Sequence, residues 1–439
     1  MTTAAPLPAS GLIPLLCEAR SRTFDLVSDL SEEQLLGPRL AIVNPPLWEV
    51  GHVAWFQERW VLRHWRKMPP SLDRGDALYD SAKVDHDARW DLPLPNSRAT
   101  FDYLERVLDR VTATLDEREP GPQGTYFVLL ALFHEYMHSE ALTYTRQTHG
   151  YPMAPLGDLA PSDHGARGTE RAGGDARIPG GKFQLGATRD LPFVFDNEKW
   201  AHGVEARPFS IARTPVTHEE FALFVEDEGY QRQELWTEQG WIWRSRMGAH
   251  HPAYWKRDIG GGWQRRHFDE WVPLEGRLPV THVNWYEAET FCRWAGRRLP
   301  TETEWEIAAS AEPTPDATRL ADRKRRFPWG DEPPSLKRAN LDWRARGPVS
   351  VDALPAGDSA FGCRQMMGNV WEWTSSDFTP YPGFVPDPYE EYSQPWFGDH
   401  KVLRGGCWTT RSLLIRNTWR NFYQPHRRDV FAGFRTCAL

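Results

Sequence analysis

The stretch that decides the fold of the first third of the chain is LALFHEYMHSEALTYTRQ, residues 130–147. It sets His134 and His138 four residues apart in an apolar run, and side chains at that spacing share one face of an α-helix. Glu135 and Glu140 stand close enough in sequence to orient the two rings, as carboxylates often do beside metal-bound histidines. The pattern favours either a pair of metal ligands or two hydrogen-bonded histidines in a buried helix. A third ligand elsewhere in the bundle would favour the metal site over two structural histidines.

Three more stretches of the first third carry helical signals. Apolar residues recur at helical spacing over 10–31, and residues 45–65 read PPLWEVGHVAWFQERWVLRHW, with Asn44 as the expected cap. A third helix is expected over 97–118, with Ser97 as its cap. With the opening helix these make an antiparallel four-helix bundle the economical fold, and bundles build metal sites from side chains that face their core.

The helix over 45–65 supplies a third imidazole. His52, within WEVGHVAWF, is the only histidine of that helix with apolar residues on both sides, whereas His64 lies in the basic end HWRK and is expected at the surface. His52, His134 and His138 give three nitrogen donors from two helices. Three imidazoles on one side of a metal leave the other side open, as a catalytic site requires. Ligand type alone does not choose among iron, zinc, copper and nickel.

The composition is that of a globular protein with more than one domain. The 439 residues exceed a single core, and 26% are charged while 40% are hydrophobic. A net charge of −8 argues against a nucleic-acid surface. No apolar run is long enough to span a membrane, and the start lacks the basic segment of a signal peptide. Five scattered cysteines without a CxxC pair fit a reducing cytoplasm and exclude a zinc finger.

Changes in amino-acid composition along the chain divide it into three parts and predict an α+β protein. Residues 1–151 hold the bundle, and residues 152–177 are rich in Gly, Pro, Ala and Asp, which is typical of a linker. Residues 178–439 are punctuated by Gly, Pro and Trp, so short strands, long connections and several buried tryptophans are expected. Two short helices are predicted there, over 217–229 and 284–296.

The third part resembles the formylglycine-generating-enzyme-like, or sulfatase-modifying-factor, fold, a C-type-lectin-like domain with little regular structure. This fold hosts several functions, so the resemblance does not settle the chemistry. The formylglycine-generating enzymes bind copper through two cysteines, and the matching positions here are Thr410 and Ile415, so that activity is not expected. The motifs that carry the resemblance are IPGGKFQLGA (178–187), PVTHEEFALFV (215–225), PVTHVNWYEAETFCRWAGRRLPTETEWEIAA (279–309), FPWGD (327–331), MGNVWEWT (367–374), KVLRGGCW (401–408) and FAGFR (431–435).

The first part resembles the DinB-like metal-binding bundle, and the two together resemble the nonheme-iron sulfoxide synthases of ergothioneine biosynthesis. The resemblance implies that Fe(II) is held by His52, His134 and His138, the trio reached above from the helix faces. It also implies the substrates. The iron brings a sulfur donor, O2 and hercynine, the trimethylated betaine of histidine, within reach of each other, and a bond forms at the imidazole C2.

The same resemblance assigns residues around the metal. A tyrosine of the second domain supplies a proton or hydrogen atom, and Tyr381 in SDFTPYPGF is the nearest match, with Tyr389 and Tyr392 left open as alternatives. Met137 stands where the ergothioneine enzymes place a glutamine against the hercynine ring. Aromatic faces suit the trimethylammonium group and arginines suit a carboxylate. The expected substrate contacts of these kinds, with one amide, are Trp371, Phe422, Tyr423, Arg420, Arg427 and Asn421.

Two departures bear on the donor. Enzymes that use γ-glutamylcysteine bind its carboxylates with two arginines after the second helix and with an Asp-and-Arg segment near the end. Here YDSAKVDHDARWDLP (79–93) retains only Arg89, and Tyr423 stands where the aspartate would be, although Arg427 is retained. These departures resemble the selenoneine synthase branch, whose donor is a selenosugar.

The sequence thus predicts a cytoplasmic Fe(II)- and O2-dependent oxidoreductase that joins selenium from a selenosugar to C2 of hercynine. Three alternatives stay open. The enzyme could use cysteine or γ-glutamylcysteine and form a sulfoxide, it could be a metal-dependent thiol transferase, as DinB-like bundles also host, or the chain could be a binding module with a structural metal. Small molecules are the expected partners, without nucleic acid or membrane, and the sequence does not choose between monomer and dimer.

Overall fold

The computed structural model describes residues 5–156 and 171–439. The described chain forms two compact units. The first comprises the described residues before 157 together with 189–194 and 268–270, and the second comprises the rest. Of the predicted linker, 157–170 lie outside the described residues, and a strand already begins at Asp175.

The first unit is helical, and the four predicted long helices are all present. The second of them continues beyond Gln57 as a π-helical segment, Glu58–Trp65, which was not predicted. A 3-10 helix covers His86–Trp90. The α-helices are α1 (Ala9–Asp25), α2 (Glu32–Leu36), α3 (Pro46–Gln57), α4 (Gly75–Tyr79), α5 (Ser97–Glu117) and α6 (Gly121–His149).

Two predicted caps are each wrong by one residue, since the caps are Pro45 and Asn96. Helix α3 begins at Pro46, so Asn44 precedes the helix and its side chain bonds elsewhere. In α5 the cap is Asn96, whose side chain accepts a hydrogen bond from the backbone N–H of Ala99 at 2.9 Å, and Ser97 is the first helical residue. Asn and Ser cap helices about equally well, so neighbouring candidates leave the boundary open by a residue.

Two short segments from later in the sequence complete the first unit. Phe193 packs against α6, with its ring 5.1 Å from that of Phe133 and 5.3 Å from that of Tyr126. The backbone N–H of Phe268 donates to the Gln147 side chain at 2.6 Å. The bundle is therefore not built from its N-terminal sequence alone.

In the residues that the structure describes, the second unit combines short strands and long connections, as expected, with four short α-helices. The predicted helices appear as α7 (His218–Glu226) and α9 (Trp285–Trp294), and α8 (Glu238–Met247) and α10 (Glu302–Ser310) were not predicted. The strands are β1 (Asp175–Ile178), β2 (Gly181–Leu185), β3 (His202–Ala206), β4 (Phe209–Ala212), β5 (Trp255–Arg257), β6 (Trp263–His267), β7 (Glu270–Pro273), β8 (Arg297–Arg298), β9 (Ala311–Pro313), β10 (Leu320–Lys324), β11 (Trp371–Asp377), β12 (Lys401–Arg404), β13 (Asn421–Tyr423), β14 (Ala432–Gly433) and β15 (Cys437–Ala438).

Two four-stranded sheets organise these strands, in the orders β1-β4-β15-β8 and β13-β12-β11-β14. Within the second sheet β11 pairs antiparallel with β12 and parallel with β14. The remaining strands form the pairs β2-β3 and β9-β10 and the ribbon β5-β6-β7. Each sheet joins strands from distant parts of the sequence, so the fold depends on long connections.

The interior of the second unit combines buried tryptophans with buried ion pairs. Arg435, from the terminal FAGFR motif, is fully buried and donates to both carboxylate oxygens of Glu372 in the WEW motif, at 2.6 and 2.7 Å. Paired and hydrogen-bonded in this way, two buried charges can be retained in an apolar interior. The fully buried tryptophans of this unit confirm the expectation; they are Trp305, Trp343, Trp371, Trp373 and Trp408.

Candidate metal centre

Three imidazoles converge in the core of the first unit. His52 comes from α3, and His134 and His138 come from successive turns of α6. The Nε2 atom of His134 lies 3.2 Å from Nε2 of His52 and 3.2 Å from Nε2 of His138. Within the described ranges, no other cluster of at least three His, Cys, Asp or Glu side chains brings its ligand atoms this close together.

The outer nitrogens of two of the rings face groups that only accept hydrogen bonds. Nδ1 of His52 lies 2.7 Å from the backbone oxygen of Tyr79, and Nδ1 of His138 lies 2.7 Å from Oε1 of Glu49. Each Nδ1 must therefore carry the hydrogen, so in the neutral ring each Nε2 presents a lone pair to the centre. Burial lowers the pKa of His52 and of His134 well below the usual value, which keeps these rings neutral.

This arrangement fits a metal ion. A metal about 2.1 Å from each nitrogen, with angles between a right angle and a tetrahedral angle, sets neighbouring nitrogens about 3.0–3.4 Å apart. The observed separations of 3.2 Å fall in that interval. Three imidazoles are also a donor set that iron and zinc accept. His52, His134 and His138 would hold the ion.

Aromatic rings pack against two of the three histidines. Trp48 stacks on His52 with centroids 4.9 Å apart, and Phe56 stacks on His134 at 3.5 Å. The Tyr79 ring fits against α3 only because residue 51 is glycine, since a Cβ there would come within 2.3 Å of it. These rings hold the planes of His52 and His134 in place and keep water away from the side of the centre that they cover.

Glu135, one of the two carboxylates expected to orient the histidines, bonds to Arg20 and Thr23 of α1. Glu135 accepts hydrogen bonds from the buried Arg20 at 2.9 and 3.2 Å and from Thr23 at 2.8 Å. The cause is helical geometry, because the residue after His134 is turned away by about 100°. Glu140 is buried on α6. Glu49 was missed, although its position three residues before His52, on the same helix face, was the available signal.

Arg89 and Met137 both lie near the histidines. The guanidinium of Arg89 lies over the Trp48 ring, 3.9 Å from its centroid, and donates to Asn44 at 2.5 Å and to the backbone oxygen of Val84 at 3.3 Å. Burial lowers the pKa of Arg89 to about 10. Met137 is half-buried and directly precedes His138. The structure thus brings the retained arginine to the ring that stacks on His52.

Three of the residues assigned from the second domain lie in the interior of the second unit. The hydroxyl of Tyr381 donates to Glu302 at 3.3 Å, its ring lies 4.1 Å from the guanidinium of Arg420, and burial raises its pKa. Arg420 itself donates to both carboxylate oxygens of Glu302. Trp371 is fully buried against Trp419. These three side chains share the buried core of that unit.

The remaining four assigned residues are half-buried on or after β13; they are Asn421, Phe422, Tyr423 and Arg427. Phe422 stacks on Phe378 with centroids 4.0 Å apart. Arg427 lies over the ring of Tyr423 and donates to both oxygens of Asp429, at 2.7 and 2.6 Å. The aromatic and amide groups of this strand therefore stay partly accessible, whereas the charge of Arg427 is already paired.

The positions that match the copper-binding cysteines lie together in the second unit. A Cβ added to Gly406 would meet both Ile415 and Thr410, which shows how close these side chains are. The neighbouring thiol is Cys407, which is buried and lies 3.0 Å from the Thr409 hydroxyl. With Thr410 and Ile415 in these places, the two-thiol copper site is missing its ligands.

Comparisons with known proteins match both parts of the chain. The DinB superfamily matches residues 15–142, and the sulfatase-modifying factor enzyme 1-like domain matches residues 161–438. Hercynine oxygenase of Mycolicibacterium smegmatis is 38% identical over 96% of this chain and 96% of its own length. Formylglycine-generating enzyme of Streptomyces coelicolor is 32% identical over 58% of this chain and 83% of its own. Among solved structures, PvdO from Pseudomonas aeruginosa covers 60% of this chain and 93% of its own, with 21% identity and a TM-score of 0.40.

In the described part of the chain, no helix combines the length and apolar character needed to cross a bilayer.

Proposed function

The chain belongs to the ergothioneine-type sulfoxide synthase superfamily and is an oxidoreductase; from this we propose that it is an Fe(II)- and O2-dependent enzyme that joins selenium to the imidazole C2 of hercynine in the cytoplasm. The observation that carries the proposal is the convergence of His52, His134 and His138, with Nε2 of His134 lying 3.2 Å from Nε2 of each of the other two, in a chain related over nearly its whole length to a hercynine oxygenase.

The donor set supports an open, catalytic metal. Three neutral imidazoles leave the opposite side of the ion for substrates, whereas a structural site closes its coordination sphere. When bound, Fe(II) supplies the redox chemistry toward dioxygen that this reaction class needs. The protein holds the three rings in fixed planes through Trp48, Phe56 and the partners of the two Nδ1 atoms.

Hercynine carries an imidazole, a carboxylate and a trimethylammonium group, and the chain offers a partner for each. Met137, beside His138, gives the imidazole an apolar neighbour in place of an amide. Phe422 and Tyr423 present half-buried aromatic faces of the kind that recognise quaternary ammonium groups. Asn421 adds an amide for the carboxylate, because Arg420 and Arg427 already pair with Glu302 and Asp429.

The isolation of Arg89 supports a donor without several carboxylates. One terminal nitrogen of its guanidinium donates to Asn44 and the other to the backbone of Val84, and Arg89 is the only arginine that the segment 79–93 retains. A γ-glutamylcysteine donor brings two carboxylates and would need a second arginine to pair with both. A selenosugar makes no such demand, since it offers hydroxyl groups and no second charged end.

A donor screen tests this proposal. Purified protein loaded with Fe(II) is incubated in air with hercynine and, in turn, with a selenosugar, cysteine and γ-glutamylcysteine, and the products are read by mass. A selenium isotope pattern on hercynine is expected with the selenosugar, and His138→Ala serves as the inactive control.

Each other outcome points elsewhere. A product with only a thiol donor would assign the chain to sulfoxide synthesis and overturn the preference for selenium. Turnover by zinc-loaded protein without air would support thiol transfer and overturn the oxygenase proposal altogether.

A further inference from the structure

We propose that Glu49 is a positioning residue that fixes the tautomer of His138 and so points the Nε2 lone pair of that ring at the metal. The Glu49 carboxylate is 1% exposed and accepts from Nδ1 of His138 at 2.7 Å. It acts on the centre only through the ring of His138. The inference rests on the metal-binding role of the histidines and is independent of the choice of substrate.

The carboxylate stands within a short chain of hydrogen bonds whose direction is fixed at both ends. Arg89 can only donate, so the atom of Asn44 that it meets at 2.5 Å is the amide oxygen, Oδ1. The Asn44 amide nitrogen then faces the second oxygen of Glu49, at 3.5 Å. Glu49 can only accept, so the hydrogen it shares with His138 must belong to Nδ1. The directions of the hydrogen bonds that start at Arg89 are therefore compatible with an Nδ1–H donor on His138.

The two ring partners differ in charge. Nδ1 of His52 faces the neutral backbone oxygen of Tyr79, and Nδ1 of His138 faces a carboxylate. A carboxylate behind a metal-bound histidine raises the basicity of the ring, and losing such a partner commonly costs 10–100-fold in metal affinity. His138 is therefore the stronger donor of the two, and Glu49 is the reason.

The substitution Glu49→Gln isolates this effect. Glutamine keeps the shape of glutamate, but its amide can turn and donate to Nδ1, which would move the ring hydrogen to Nε2 and block the metal. Glu58→Gln is the matched control. Glu58 is also a fully buried carboxylate on the continuation of the same helix, but it accepts from the Tyr103 hydroxyl, at 2.8 Å, and from the backbone of Ser71.

Two measurements on the full-length protein test the proposal. The first is the 15N spectrum of histidine-labelled protein without metal, which reports the tautomer of each ring. The second is the affinity for Zn(II) and Co(II), measured by competition with a chromophoric chelator. No hercynine is present in either, so a failure here is distinct from a failure of the proposed reaction.

We expect His138 to carry its hydrogen on Nδ1 in the unsubstituted protein, and Glu49→Gln to mix the two tautomers and weaken metal binding at least tenfold. Glu58→Gln should leave the affinity unchanged within about twofold. The proposal is overturned if His138 of the unsubstituted protein carries its hydrogen on Nε2, a result that requires no variant to fold. It is equally overturned if Glu49→Gln binds metal like the unsubstituted protein, or if both variants lose affinity alike.

Discussion

Imidazole lone pairs that meet at 3.2 Å repel one another unless a hydrogen or a cation lies between them. The partners of His52 and His138 hold two such lone pairs toward His134, whose single ring hydrogen can satisfy only one of them, so the geometry is less favourable for the metal-free protein than for the loaded one. Folding energy is in this sense committed to the site, because the rings are fixed before the ion binds.

Metal binding is accordingly expected to stabilise the fold. A ligand present at 100 times its dissociation constant adds about 2.7 kcal/mol when it binds only the folded state. Adding Zn(II) or Fe(II) to metal-free protein should therefore raise the midpoint of thermal unfolding, measured by calorimetry. His138→Ala should abolish this shift, and a shift of equal size in that variant would show that the metal binds elsewhere.

Tyr381 stays our proposed proton donor, and its buried setting makes a sharp test possible. Tyr381→Phe removes a hydroxyl bonded to Glu302 at 3.3 Å, which should cost about 1 kcal/mol of unfolding free energy. Loss of a catalytic proton donor should instead lower turnover by roughly 10²–10⁴-fold. Comparing kcat with the unfolding midpoint separates the two roles. Tyr230→Phe is the control, because Tyr230 is also buried and donates to a buried glutamate, Glu287. Undiminished turnover in Tyr381→Phe would rule the proposal out.

The histidine trio could be read from the sequence, but its supporting residues could not. His134 and His138 share a helix face by spacing alone, and His52 stood out by its apolar neighbours. Glu49 lies three residues before His52, which places it on the right helix face, but its partner is His138 on another helix, and only the packing of α3 on α6 reveals that partner. Glu135 was the more obvious choice in sequence, and helical geometry turns it toward Arg20.

At the scale of elements, the approach of Tyr79 to α3 depends on Gly51. A methyl group at position 51 would lie within 2.3 Å of the Tyr79 ring, and the backbone oxygen of Tyr79 is the group that orients His52. Gly51→Ala is therefore expected to destabilise the protein by about 1–3 kcal/mol through overpacking and to weaken metal binding as well, measured by chelator competition.

Gly124→Ala provides the matched control for this substitution. Gly124 is also a helical glycine, and a Cβ there would come within 2.4 Å of Trp65. Gly124→Ala should lower the free energy of unfolding by a similar amount and leave the metal affinity unchanged. Equal losses of affinity in both variants would mean that overpacking anywhere in the bundle disturbs the site, and that Gly51 has no special connection to His52.

Helix types and approximate positions were predictable because apolar spacing and proline punctuation are local signals. The π-helical run after α3 was not, since it is selected by the packing of Trp60 on Phe127 and of Glu58 on Tyr103. Helices α8 and α10 were missed because neither shows a clear apolar period in the sequence. Helix α8 buries only Gly240, and α10 is buried on nearly all sides, including Glu302 and Glu306.

At the scale of the whole molecule, two buried histidines outside the metal centre predict loss of stability in acid. Burial lowers the pKa of His218 and of His282 to about 3, below the unfolded value of about 6.5. Below pH 6.5 the unfolded chain therefore binds protons at these histidines that the folded chain does not bind. The stabilising effect of the two neutral rings is present above pH 6.5 and is lost as the pH falls. Each should cost about 2 kcal/mol between pH 7 and pH 5.

Asparagine variants test this contribution. The Nδ1 atoms of His218 and His282 donate to the backbone oxygens of Glu275 and Arg428, and an asparagine amide can replace both bonds without titrating. His282 has a φ of 59°, which asparagine also tolerates. The double variant should flatten the dependence of urea unfolding on pH between 7 and 5. An unchanged slope would place the acid sensitivity in other groups.

The sequence predicts a bundle that ends at residue 151 and a second domain that begins at residue 178. In the structure, the compact unit that contains the bundle is not continuous in sequence. Residues 189–194 and 268–270 belong with the bundle although they follow the predicted linker. Segments of three to six residues are too short to show a hydrophobic period, so the sequence does not reveal that they pack with the bundle. Phe193 is 3% exposed, and its partners Tyr126 and Phe133 lie on α6, the helix that carries two of the metal ligands.

The bundle sequence alone should therefore fold poorly. A fragment ending at residue 156 would expose the face of α6 that Phe193 covers and leave the Gln147 side chain without the backbone donor it has in the full chain. In the full-length protein, Phe193→Ala should cost about 3 kcal/mol or more and raise hydrogen exchange along α6. Leu36→Ala, at a position 44% exposed in the same unit, should change neither. A soluble fragment with full metal affinity and protected α6 amides would show that the later segments are dispensable, and the division at 151 would then stand.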